Sequence, residues 1–242
     1  MNYTFGDSEL ARARLALVAD TFAEPTRAFL CDLPEGTRRY VLDLGCGPGF
    51  TTELLHEAFP HGYVTGLDAS LAMVDEARTR VAVPNVFFVE ADITAPLTLP
   101  AHLVFGRLLL GHLPDPNGAL ANWSAALLPA GVLACEEPVR YRSEIAVFDA
   151  YEEAVTAVVA AQGATLWAGD ALDSELPGCR RLIDRVVEHP VSAARAAAMF
   201  WRNAVNWDGD PDLIEELRAL EESGSDDVVM WELRQTAWVK GQ

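Results

Sequence analysis

The chain has 242 residues, half of them hydrophobic and 22% charged, which is enough apolar material for one α/β-sized domain with an elaboration and too much for general disorder. Its 36 acidic and 18 basic residues leave a formal charge of −18, so nucleic acid is not an expected partner. Cys31, Cys46, Cys135 and Cys179 show no C-x-x-C spacing, the start lacks a leader pattern, and no run approaches the roughly 20 apolar residues of a membrane span; a cytoplasmic protein without zinc, disulfides or a membrane partner is expected.

From Ser8 to Leu30, Leu10, Ala13, Leu17 and Phe22 fall at helical spacing, with Ser8 placed to cap the start and Pro25 to bend or split the helix. YVLDLG at 40–45 is a short apolar run closed by glycine, the pattern of a buried parallel strand, and 51–59 reads as the following helix. The rhythm repeats with YVTGLD at 63–68 before LAMVDEARTR, NVFFVEA at 85–91 before a proline-bearing loop, and HLVFGRLLL at 102–110 before a helix over 118–128. A fifth strand, GVLACEEP, ends near Pro138. Such alternation predicts an α/β fold with a mostly parallel sheet covered on both faces. From Val139 to Arg181 the pattern turns helical and reads as an inserted lid. A strand at 185–191, a helix through Trp201, a loop at about 202–227 and a closing strand at 228–240 follow. The predicted division is a helical cap over 1–39, a core over 40–138, a helical lid over 139–183 and the rest of the sheet over 184–242.

The most informative stretch is VLDLGCGPGF, a strand, then Gly45, Gly47 and Gly49, then a helix. Glycines at such a turn let the backbone pass close to a ligand, and the amides and positive end of the next helix favour a negative group. A nicotinamide-type fingerprint wants Gly or Ala where Phe50 stands, because its third small residue permits close helix packing. The spacing G-x-G-x-G therefore disfavours a dinucleotide oxidoreductase. Asp68 ends the second strand, and Asp92 follows the third in EADI.

This series resembles the class I S-adenosylmethionine-dependent methyltransferase family, whose first motif, acid-x-G-x-G-x-G, matches Asp43 through Gly49 in full. RLLLGHLPDP is similar to the family's fourth-strand segment, so the resemblance covers roughly 40–138; HLVFGRLLL lacks the acid that many relatives carry at the start of that strand. The resemblance implies a Rossmann-like seven-stranded sheet, S-adenosylmethionine as cofactor, and methyl transfer to oxygen, nitrogen or carbon of a small molecule, in secondary metabolism. It assigns Asp68 to both ribose hydroxyls, Asp92 and the Ile93 amide to the adenine edge, and Ala69 and Met73 to the face of its ring. Gly45 and Arg107 would border the methionine tail through backbone atoms, with Cys46, Gly47 and Gly49 completing the loop. Asp43 would fix that loop or meet the ligand's ammonium.

His112 follows the fourth strand at the carboxyl edge where open α/β sheets bind ligands, and is the first candidate for a base if the acceptor is a hydroxyl or an acidic carbon; loop capping is the competing role. Glu136 and Glu137 close the fifth strand at the same edge, either orienting an acceptor amine or facing solvent. Tyr3, Arg14, Trp167 and Trp201 lie in segments placed to close over a pocket, where Arg14 would meet a carboxylate or sit on a solvated helix face and the tryptophans would belong to the site or to the core. No N-P-P-Y, D-P-P-Y or Pro-Cys stands where the nucleobase- and amide-methylating branches carry one. Asp92, Asp115 and Asn117 do not reproduce the metal spacing of the catechol-type branch, so no metal is expected. A helical cap suits a small enclosed acceptor, with the oligomeric state open and a homodimer one option. The alternative reading is a methyltransferase-like protein that keeps the cofactor pocket for a structural or non-methylating role.

Overall fold

In the computed structural model, which describes residues 9–241, seven strands form one sheet in the order β3-β2-β1-β4-β5-β7-β6. β1 (Tyr40–Leu44), β2 (Tyr63–Asp68), β3 (Val86–Glu90), β4 (Ala101–Arg107) and β5 (Leu127–Arg142) are parallel. β7 (Val228–Lys240) runs antiparallel between β5 and β6 (Cys179–Ser192). The helices are α1 (Glu9–Thr21), α2 (Ala23–Asp32), α3 (Phe50–Ala58), α4 (Leu71–Arg80), α5 (Pro116–Ala125), α6 (Ala146–Ala161), α7 (Ala193–Asn206) and α8 (Pro211–Ser223).

Strand alternation sorts the core into two layers. Val41, Val64, Leu103 and Phe105 face Phe29 of α2, Leu54 and Leu55 of α3, and Val74 and Ala77 of α4. Their neighbours Leu42, Leu44, Val104 and Leu133 face Leu120 and Trp123 of α5. A third cluster joins α1, α6, α7 and α8 to the far ends of β5, β6 and β7 through Phe148, Tyr151, Phe200 and Trp231. The seven-stranded, mostly parallel Rossmann-like sheet with helices on both faces is as the sequence implied.

Several boundaries differ. The first helix divides at Phe22, ahead of Pro25, which sits in the first turn of α2 where its missing N–H costs no hydrogen bond. Ser8, the expected cap, lies outside the described residues. β5 runs on to Arg142 and β6 begins at Cys179, so the insertion shrinks to 143–178 and holds only α6 and a 3-10 turn, Gly169–Asp173. The extra length of β5 pairs with β7, from Arg140 opposite Glu232 to Arg142 opposite Met230, and both arginines reach the Glu232 carboxylate. The loop expected at about 202–227 is instead the end of α7 followed by α8. There Asp210 caps the helix, Pro211 opens it and Gly224, at φ 65°, ends it, while Leu213, Leu217 and Leu220 supply a helical apolar stripe. Among the described residues no helix is long and apolar enough to cross a membrane, and no cluster of His, Cys, Asp or Glu could hold a metal.

Trp123 is fully buried under the sheet, and its Nε1 donates to the Ile93 carbonyl at 2.9 Å, tying α5 to the turn after β3. Trp123→Ala should cost about 3–5 kcal/mol in urea unfolding; a loss below about 1 kcal/mol would show that the layer repacks around the gap.

Candidate active site

The turn between β1 and α3 is fixed from several sides. The Cys46 N–H donates to the Leu67 carbonyl at 3.0 Å, and Arg80 donates to Pro48 O while its guanidinium covers the Phe50 ring. Gly49, at φ 83°, is required twice over, because a Cβ there would meet the Phe88 ring at 2.9 Å. Gly47 differs: a Cβ on it would meet nothing within 4 Å, so this part of the loop faces open space. Asp68 stands at the same opening, its two oxygens accepting the Gly47 and Ser70 N–H groups, each at 2.8 Å. Ala69 is exposed beside it and Met73 is buried behind it. The exposed Asp92 accepts from the Thr94 N–H and hydroxyl through Oδ1, which holds its carboxyl below the usual range. Ile93 is buried.

Beneath the loop, alternation places Asp43, Arg107, Glu136 and Gln235 on one face, with Arg107 opposite Glu136 and Glu136 opposite Gln235 in the ladder. Asp43 Oδ2 accepts from Thr52 at 2.6 Å, and burial pushes its pKa up to about 7. Arg107 donates to the Thr26 hydroxyl at 3.1 Å and lies within the field of both Asp43 and Glu136. Glu136 is fully buried: one oxygen lies 2.5 Å from the Thr26 hydroxyl, and the other accepts from Gln235 Nε2 at 2.6 Å. The expectation that Glu136 orients an acceptor or faces solvent is therefore corrected, because a position on the α2 side of the sheet commits its oxygens to the protein.

Glu137 points to the opposite face and is also buried, against expectation. Its Oε1 accepts the N–H groups of Leu109 and Leu110, at 2.8 and 3.0 Å, and burial lifts its pKa to about 8. These bonds hold a loop in which Leu108 adopts φ 52° and Leu109 lies over Gly45, where a Cβ would come 2.6 Å from the leucine Cδ1. The loop closes in a short 3-10 turn, Leu110–His112. Burial and the charge of Arg14 lower the His112 pKa to about 4, so the imidazole is neutral and a weak base at pH 7 rather than near its free value. Arg14 is buried on α1, not on a solvated face, and its charge is felt at Tyr151 of α6 as well.

Residues 165–166 cover the same turn, their carbonyls within 3.2 Å of a Cβ placed on Gly111. Trp167 follows, donating to Glu152 at 2.7 Å with its ring against Tyr141 and Trp231. Trp201 does not join this group. It donates to Glu221 and packs against the guanidinium groups of Arg202 and Arg218, so it belongs to the α7–α8 face. Tyr3 lies outside the described residues. Tyr151 and Asn203, which sequence reading passed over, are buried here, with Asn203 Nδ2 donating to the Tyr151 hydroxyl at 2.9 Å. The sequence does not single them out, because Arg202 and Asn206 stand beside Asn203 in α7 and only burial distinguishes it.

A family model described as a methyltransferase domain matches residues 41–131. The trans-aconitate 2-methyltransferase of Paracidovorax citrulli is 33% identical over 195 residues, 75% of this chain and 74% of that protein. This chain belongs to the class I S-adenosylmethionine-dependent methyltransferase family. The like-named protein of Escherichia coli O6:H1 is 40% identical over 117 residues, which are 48% of this chain and 46% of that one. The solved structure of coclaurine N-methyltransferase bound to N-methylheliamine and SAH shares the fold, with a TM-score of 0.57 at 16% identity over 99% of this chain and 77% of that one.

The protein is thus a methyltransferase with S-adenosylmethionine as its cofactor, and its residues fit that group. Gly47 faces open space beside an anchored carboxylate, and no side chain caps the N-terminus of α3. We propose Asp68 for the ribose hydroxyls and Ala69, Met73, Asp92 and Ile93 for the adenine side. For the methionine tail we propose the backbone of Asp43 to Gly49 and Arg107.

Asp68→Ala should weaken S-adenosylhomocysteine by about 2 kcal/mol or more in calorimetric titration, and an unchanged Kd would remove Asp68 from the ribose role. Glu137 gives a second test. Its carboxyl keeps a proton in the folded chain where the unfolded chain has lost it, so its stabilising contribution is complete below pH 4.5 and disappears as pH rises to about 8. Glu137→Gln should flatten the decline of Tm across that window; a parallel decline in both proteins would contradict the raised pKa.

Proposed function

We propose that this methyltransferase esterifies a carboxylate of a small polycarboxylic acid, of the class to which trans-aconitate belongs. The observation that carries the reading is Arg14, a buried guanidinium whose field reaches His112 beyond β4 in a molecule of formal charge −18. A buried cation in such a setting suits an anion, and the relatives' names point to the same acceptor chemistry.

A carboxylate arrives already deprotonated, so the reaction asks for no general base. That accords with a His112 whose pKa lies near 4. The neutral imidazole offers a hydrogen bond to the acceptor, and Arg14 draws the carboxylate in and orients it. When bound, S-adenosylmethionine supplies a methyl carbon on a sulfonium, and a bond to the carboxylate oxygen forms as the carbon–sulfur bond breaks with its electron pair left on sulfur. Residues 165–166, which lie over the turn at Gly111, would help to keep water from the meeting charges, where a lower dielectric strengthens their attraction.

Incubation of the protein with S-adenosylmethionine and trans-aconitate should yield a monomethyl ester by mass spectrometry. Arg14→Ala should raise KM for the acid by about ten- to a hundredfold, the range for losing a charged hydrogen bond, and leave the Kd for S-adenosylhomocysteine unchanged. Methylation of hydroxyl or amine acceptors with no ester formed from any polycarboxylic acid would sink the proposal.

A further inference from the structure

We propose that Tyr151 and Asn203 form a paired donor and acceptor that reads a second arm of the substrate, one bearing an uncharged proton donor such as a hydroxyl. The inference rests on the carboxylic-acid reading above and ranks acids that also carry such a group above those, such as trans-aconitate, that do not.

Asn203 lies on α7 and is only 7% exposed. Its Nδ2 donates to the Tyr151 hydroxyl, whereas its Oδ1 is sealed from solvent and has no hydrogen-bond partner. Leaving a buried carbonyl unmet is costly, and such groups are satisfied in nearly all folded proteins unless a ligand or ordered water completes them. Leucine or alanine would fill the site with no such penalty. Asn203 is the one polar residue among the eight buried residues of α7, the others being alanine, methionine and phenylalanine.

Tyr151 supplies the other half. Its hydroxyl takes the Asn203 N–H and retains its own proton, which burial makes hard to lose, with a pKa of about 12. The ring is held by a stack on Phe200, centroids 4.1 Å apart at 9°, and by Trp207 at 5.8 Å. The pair therefore presents one O–H donor and one amide oxygen acceptor from a rigid mount. A hydroxyl satisfies both, accepting from Tyr151 and donating to Asn203. An ionised carboxylate satisfies only the first and is repelled by the second. Leu108, which leads into the turn that carries His112, and Leu166, which covers it at Gly111, both pack against the cluster that holds Tyr151 and Phe200, so the donor pair and that turn share one neighbourhood. An acid anchored at Arg14 would thus reach Tyr151 and Asn203 with a separate arm.

Calorimetric titration of the S-adenosylhomocysteine-bound protein with citrate, which carries a hydroxyl, and tricarballylate, the same skeleton without it, tests this directly. Citrate should bind at least about tenfold more tightly, the scale of one satisfied buried hydrogen bond. Tyr151→Phe, which keeps the stack, and Asn203→Leu, which removes the orphaned carbonyl, should each abolish the difference without changing the Kd for S-adenosylhomocysteine. Asn203→Leu should leave Tm unchanged or higher, whereas a purely structural amide would lower it. If the wild type forms methyl esters but binds the two acids equally, or if both variants keep the preference, the pair does not read the substrate and the carboxylate proposal survives. If neither acid nor trans-aconitate binds, both proposals fall together.

Discussion

A partly buried guanidinium in the field of two buried carboxylates organises the carboxyl edge of this sheet. Arg107, Asp43 and Glu136 come from three adjacent strands, and the two buried acids lie in the field of the arginine, since an unpaired charge in a protein interior costs several kcal/mol. Thr26 and Gln235 complete the hydrogen bonding, which ties α2 and the closing strand to the same row. The glycine loop springs from the strand that holds Asp43, so its geometry is inherited from this layer. Burial raises the pKa values of both acids, and that follows from desolvation outweighing the hydrogen bonds and the arginine that oppose it.

On the other face Glu137 does for the turn after β4 what Asp68 does for the glycine loop and the turn after β2. Each carboxylate accepts two backbone N–H groups and fixes a loop that the backbone alone would not hold. Two consecutive glutamates inside β5 thus serve opposite layers because side chains alternate across a strand. The Leu109 side chain lies over Gly45, so the turn carrying His112 and the glycine loop are in direct contact.

The sheet was legible because its strands are short apolar runs closed by turn residues, and the family motif because glycine spacing and strand-end acids are local in sequence. α8 was missed because Asp, Glu and Gly dominate 208–227 and mask the Leu213, Leu217, Leu220 stripe. The length of β5 was missed because VRYR reads as polar loop, while its pairing with β7 and its arginine bridges to Glu232 supply the stabilisation from outside the segment. Trp201 was placed near the site on position alone, and its direction on α7 decided otherwise.

By itself the sequence determined the order of strands and helices, the loop from Asp43 to Gly49, and the acids at the ends of β2 and β3, because these depend on periodicity and on steric demands a few residues wide. Only the tertiary structure decided which charges are buried and with whom. It turned Glu136 and Glu137 inward to different partners, drove the His112 pKa down beside Arg14, and set Asn203 against Tyr151. Desolvation and pairing depend on neighbours drawn from distant segments, and those neighbours exist only once the layers have packed.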